Sequence, residues 1–372
     1  MKRGIIAALA LTAAACSAER APQPTYHAEE NPAALSDWGM MAARNGALSL
    51  SEGVAPYDLA TPLFTDYALK LRTVWMPEGT AATYNAETVF DFPVGTVITK
   101  TFYYPQETAQ WSAAVLQQDG PYVSDGALSL ASVRLIETRV LVRREAGWDA
   151  LPYVWNEDQS DAVLKRAGDI QPLTLVRKDG AREAFPYVVP NVNQCAGCHA
   201  VNADTKEIQP IGPKARHLNK PSSFEPGFNQ LDHWIARDML AGDFSDTAAT
   251  PKNAVWTDET ASLDARARAY LDANCSHCHN PVGPADTSGL DLEPGASGAA
   301  MGRCKPPIAA GGGTGGRPYG IVPGAPEASI TVYRMETTDP GAMMPELGRA
   351  VSHKEGVALI AEWIAAMDGG CA

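Results

Sequence analysis

Cys275-Ser276-His277-Cys278-His279 closes a run, Ser262 to Asn274, in which Leu263, Ala267, Tyr270, Leu271 and Asn274 fall on one face of a helix. Cys195-Ala196-Gly197-Cys198-His199 has the same spacing earlier in the chain. Two thiols one helical turn apart, with an imidazole directly after the second, are what covalent haem attachment requires. Each thiol forms a thioether to one vinyl group, and the histidine reaches the iron from the proximal side. Cys195, Cys198, Cys275 and Cys278 are therefore the expected thioether donors of two covalently bound haem c groups, and His199 and His279 the expected proximal iron ligands. Zinc uses the same residue types. A zinc ribbon, however, separates its Cys pairs by about 15–20 residues, far fewer than lie between these, and it does not need a histidine after each pair. A thioredoxin-like role needs one motif in a βαβ pattern, and the sequence shows none.

Seven cysteines are present, so three lie outside the motifs. Cys16 follows Lys2, Arg3 and an apolar run from Ile5 to Ala15, which is shorter than the roughly 20 residues of a membrane span and reads as a signal peptide over 1–15. The stretch Leu11-Thr12-Ala13-Ala14-Ala15-Cys16 resembles the lipobox of bacterial lipoproteins, with Ala13 where that family usually carries Leu. The resemblance implies lipidation at Cys16 and membrane contact through that anchor alone. Cleavage near Ala15 with an incidental Cys16 is the alternative. Both place the chain in the periplasm or on a membrane facing it, where disulfides persist. Cys304 and Cys371, without another assignment, are expected to be paired there, inert buried thiols being the alternative.

The chain is long enough, at 372 residues, for two or three domains. Its formal charge of -13, with no Lys/Arg block, excludes a nucleic-acid binder, which needs a basic surface. Residues 16–34, with Pro22 and Pro24, read as a tether. Residues 35–190 read as β-rich. Gly95 to Tyr104 and Val133 to Val142 are dense in β-branched and aromatic residues, and Lys178-Asp179-Gly180 separates two such runs as a hairpin turn would. From about residue 191 the pattern turns helical, with Phe228 to Leu240, Ser262 to Asn274 and His353 to Met367 as the expected helices. The glycine-rich stretch from Gly311 to Gly316 lacks the Gly-Lys-Ser/Thr ending of a phosphate loop and reads as a close-approach or flexible loop.

Residues 256–372 resemble a class I cytochrome c domain: a helix leading into C-x-x-C-H, a long loop with Pro323-Gly324-Ala325-Pro326, then Met343-Met344-Pro345 and a closing helix. The resemblance implies Met344 as distal iron ligand of the second haem, Met343 being the next choice. A thioether is a soft ligand that favours reduced iron. Residues 191–255 contain no Met-Pro. By analogy of order, His217 is the expected distal ligand of the first haem, with Met239 or an open site as alternatives. The whole mature chain is similar to bacterial dihaem c-type cytochromes with an N-terminal β-rich domain, on Pro56 to Tyr67, Phe92-Pro93-Val94-Gly95-Thr96, Ile136 to Val142, Asn193-Gln194-Cys195 and Arg266 to Leu271.

These readings combine into an expected α+β multidomain fold: an antiparallel β sandwich or barrel-like domain, followed by two α-helical cytochrome c-type haem domains over 191–255 and 256–372. The expected function is single-electron transfer between periplasmic donor and acceptor proteins. The alternatives are a dihaem peroxidase or oxidase using an open first haem, and a redox partner-binding module of a periplasmic dehydrogenase.

Overall fold

The computed structural model describes residues 22–108, 110–120, 123–124, 126–244, 246–308 and 310–371. The expected signal peptide and Cys16 lie outside the described residues. Residues 22–34, expected as a tether, run along the β-rich half. Thr25 N–H donates to Trp38 O, and Arg144 donates to the carbonyls of His27 and Glu30.

The centre is a six-stranded antiparallel sheet in the order Ala162–Leu164, Gly147–Trp155, Val133–Arg144, Val97–Pro105, Leu69–Trp75, Ala55–Tyr57. Side chains alternate between its faces. One face carries Leu71, Tyr103, Val140, Leu151 and Tyr153, which close a core with Trp38, Met40, Leu48 and Leu128. That face also holds threonine pairs across the strands, Thr73 with Thr99 at 2.6 Å and Thr101 with Thr138 at 2.8 Å. The opposite face is banded. Val74 and Ile98 at one end pack with Leu218, Leu231 and Trp234. Phe102 and Tyr104 at the other end pack with Leu173, Leu175, Phe185 and Tyr187 of a hairpin, Asp169–Val176 with Arg182–Val189. Between the apolar bands runs a charged row, Arg72 opposite Lys100 opposite Arg139.

Six α-helices are found among the described residues: α1 Val192–His199, α2 Ala215–Leu218, α3 Gln230–Ala236, α4 Leu263–Asn274, α5 Ile330–Glu336 and α6 Lys354–Ala365. Here the structure corrects the expected fold class. The strand-rich part is present, but no pair of α-helical haem domains follows it. Helices this short cannot stand on propensity and take their stability from packing. In 191–255 that packing comes from the sheet, since Leu218, Leu231 and Trp234 share their core with Val74, Phe90 and Ile98. Pro210, Pro213 and Pro221 lie in the non-helical connections, and Pro226 with Gly227 forms a turn before α3. In the C-terminal part α4 and α6 meet through Ala267, Leu271, Ile360 and Ile364, and between α4 and α5 the chain forms turns and short 3-10 segments. The helices at 230–236, 263–274 and 354–365 sit inside the expected runs, so the local helical periodicity holds although helical domains do not follow from it.

The segment Pro56 to Tyr67 plugs the β-rich half into the C-terminal half. Thr61 Oγ donates to Ala254 O at 2.8 Å, and Phe64 N–H donates to Asn274 Oδ1 at 2.7 Å. Asp66 Oδ1 accepts from the amides of Ala350 and Val351 at 2.7 and 2.9 Å. Tyr67 OH donates to Glu355 Oε2 at 2.6 Å.

Candidate functional site

α1 starts at a capping box: the Asn191 side chain accepts from Gln194 N–H, and the Gln194 side chain accepts from Asn191 N–H. This orients the first motif with Cys195 buried toward the sheet, within electrostatic reach of Arg139, Glu137 and Lys100. The second motif follows α4, which Ser262 caps by accepting from Ala265 N–H.

Both motif histidines are fixed in the same way. His199 Nδ1 lies 2.8 Å from Gln209 O, which can only accept, so Nδ1 carries the proton. His279 Nδ1 lies 3.0 Å from Ser288 Oγ, and that hydroxyl donates to Ala285 O at 2.6 Å, so Nδ1 is again the donor. In each ring Nε2 keeps its lone pair, the tautomer a metal ligand needs. Burial, helped by Lys100, pushes His199 down to about 4, and burial, helped by Arg334, does the same to His279. Both imidazoles are neutral at pH 7.

All four motif cysteines are free thiols. The two motifs adjoin. The Cys278 thiol hydrogen-bonds that of Cys198 and lowers it, while the same bond raises Cys278. His277 also bonds Cys198, and its own buried Nδ1 has no hydrogen-bond partner. Ala203 N–H donates to Val282 O at 2.8 Å, and a Cβ added at Gly197 would stand 3.2 Å from Leu347 Cδ1. Burial raises Cys275 to about 12. Free thiols at the right spacing, bare Nε2 atoms and an orphaned buried nitrogen between the motifs fit covalently held haem. Among the described residues no group of three or more His, Cys, Asp or Glu converges as a metal site of its own.

The remaining expected residues are placed as follows. Met344 is half-buried, its amide donating to Arg334 O at 2.8 Å and its carbonyl accepting from Arg349 Nε at 3.0 Å. Its loop reaches both motifs, through Glu346 near Cys278 and Leu347 against Gly197. Cys304 and Cys371 form a disulfide with Cα atoms 5.2 Å apart. His217 departs from its expected role. Its Nε2 bonds Asp272 Oδ2 at 2.8 Å inside a buried cluster, where Arg216 grips both oxygens of that carboxylate and Asn253 Nδ2 donates at 2.7 Å. The geometry makes His217 a structural partner of α4 rather than a free donor facing the first motif. Met239 lies in the apolar band with Trp234 and Leu240.

Sequence reasoning missed Asp272 and the cationic row. Asp272 reads as one more polar position on a helix. The row is visible only as Arg72, Lys100 and Arg139 on three separate strands, and their register is a tertiary fact. Among the described residues no helix is long and apolar enough to cross a membrane. Set against protein-family models, curated proteins and solved structures, the chain matches none of them.

Proposed function

We propose that the chain is an exported dihaem c-type cytochrome, carrying single electrons between donor and acceptor proteins outside the cytoplasm. The reading rests on one observation above the rest: each C-x-x-C-H histidine has Nδ1 engaged as a donor, leaving a neutral Nε2 free for iron. When bound, each haem supplies a one-electron ferric/ferrous couple. The chain's part would be to attach it at Cys195 and Cys198, or at Cys275 and Cys278, and to hold the His199 ring through Gln209 O or the His279 ring through Ser288 Oγ. Met344 would supply a thioether to the iron of the second haem, from a loop fastened to Arg334 and Arg349. The contact between Cys198 and Cys278 brings the two attachment edges together and favours transfer within the molecule. Export and lipidation at Cys16 belong to the same proposal.

The test is the mass of protein made in a host that matures c-type cytochromes. Two covalent haems are expected, and Cys195→Ala with Cys198→Ala should leave one. Protein from such a host that carries none ends the proposal.

The engagement of His217 with Asp272 favours a second reading, a peroxidase-type enzyme with an open iron face at the first haem. A high-spin first haem and turnover of peroxide by the purified protein would select it over the carrier.

A further inference from the structure

The charged row on the inner face of the six-stranded sheet is anomalous. Arg72, Lys100 and Arg139 stand directly opposite one another on adjacent strands, and like charges so placed repel. Lys70 joins them one row along, opposite Phe102. The charged ends of Lys70, Lys100 and Arg139 lie 5.6, 5.2 and 4.4 Å from the Phe102 ring centre, and that ring is fully buried. Arg72 is itself buried, at 6% exposure.

Of the carboxylates within reach, most oxygens are engaged elsewhere, and the buried Oδ1 of Asp58 has no hydrogen-bond partner. Glu137 holds Arg139 with both oxygens, at 2.6 and 2.8 Å, and accepts from Tyr187 OH at 2.8 Å. Asp58 Oδ2 takes Lys220 at 2.7 Å. Asp66 takes two backbone amides. Among the described residues no hydrogen bond or ion pair to a carboxylate joins Arg72, Lys100 or Lys70; Lys70 Nζ donates to Ala68 O at 2.8 Å. A molecule with a formal charge of -13 thus gathers two arginines and two lysines on an interior face where only Glu137 grips one of them, and burial with the neighbouring cations pushes Lys70 well down and Lys100 to about 7. Uncompensated, such a set is strongly destabilising.

The row also lies beside the first motif, with Lys100 within electrostatic reach of Cys198 and His199, and Arg139 within reach of Cys195. We propose that Arg72, Lys100 and Lys70, with Arg139 behind them, form a built-in anion site that takes a carboxylate next to the first motif. Two sources share that chemistry: a propionate of the haem attached at Cys195 and Cys198, which rests on the function proposed above, and a free carboxylate molecule admitted beside it. A guanidinium grips a carboxylate through two donors and an ammonium as a point charge, so the set suits either.

The test compares the purified holoprotein with Lys100→Met, which keeps the length and the contact with Phe102, and with Lys100→Arg, which restores the charge. Intact mass establishes the haem count first. If the occupant is a propionate, Lys100→Met moves a carboxylate band in the redox-difference infrared spectrum. It also lowers the reduced-to-oxidised ratio of one haem several-fold at fixed poise, and Lys100→Arg restores both. If it is a free carboxylate, those bands stay put, while acetate binds the wild type and binds Lys100→Met at least tenfold more weakly. Unmoved bands and ratio together with acetate binding that is absent, or equal in the wild type and Lys100→Met, overturn the site. A mass without haem on residues 195–199 defeats the proposed function instead, and the acetate comparison then decides the anion site alone.

Discussion

Asp272 is the most heavily engaged carboxylate of the chain's centre. It accepts from Arg216 at 2.8 Å on each oxygen, from Asn253 at 2.7 Å and from Ser276 Oγ at 3.1 Å, and it meets His217. These partners hold it well below the usual carboxylate range against the opposing effect of burial. Asp272→Asn leaves Arg216 buried without a counter-charge, and breaking such a pair costs about 3–5 kcal/mol. Urea unfolding checks this, and a loss within the error of the measurement would refute the cluster's structural role. His217→Ala removes one buried hydrogen bond, worth about 1–3 kcal/mol, and should leave the spin state of the first haem unchanged. A switch to high spin would instead reinstate His217 as an iron ligand. The C-x-x-C-H residues were legible because their chemistry is local: the spacing that the cofactor needs is written within five consecutive positions. His217 was misjudged because its partner lies on α4, beyond the reach of any local pattern.

At the scale of elements, the strands and helices were legible wherever periodicity and caps agree. Gly147–Trp155 pairs with Val133–Arg144, and the turn at Lys178-Asp179-Gly180 joins a hairpin. The domain architecture was not legible, because α2 and α3 borrow their core from the sheet through Leu218, Leu231 and Trp234. The end of α6 illustrates how the C-terminal part holds together with few helices. Beyond it, Cys371 is bridged to Cys304 at a sequence separation of 67, a stretch that includes α5 and α6. Closing a loop of that length stabilises by about 4 kcal/mol when the unfolded chain is treated as a coil. Cys304→Ser with Cys371→Ser should lower stability by that order, and reduction of the wild type should match it. A double variant as stable as the oxidised protein would show that α6 is held by Trp363, Ile360 and Leu359 without the bridge.

An aromatic cluster is one of the joints between the β-rich and C-terminal halves, and it shapes the acid response. His353 stacks on Phe64 with ring centres 4.2 Å apart and packs edge-on to Tyr67 and Trp256. Tyr270 OH lies in hydrogen-bond contact with its Nδ1 at 2.8 Å, while Glu355 lies 3.9 Å from Nε2. Burial outweighs the Glu355 charge and pushes His353 down to about 4. The unfolded chain binds the same proton near pH 6.5. Between these values the unfolded state carries more protons, so the contribution is complete above pH 6.5 and is lost as pH falls toward 4. Over that window it amounts to about 3 kcal/mol. Asp66, in the same joint, acts in the opposite sense. Burial raises it to about 6, so its contribution is present at low pH and fades as pH rises through that value. The two partly cancel in the wild type, and the difference between variants isolates His353. The stability gap between the wild type and His353→Gln, read from urea midpoints at pH 7, 6, 5 and 4.5, should therefore narrow steadily on acidification. Asp66 titrates in both proteins and drops out of that gap. A gap constant across all four pH values would mean that His353 binds its proton as readily in the folded joint as in the unfolded chain, the Glu355 charge fully offsetting the burial.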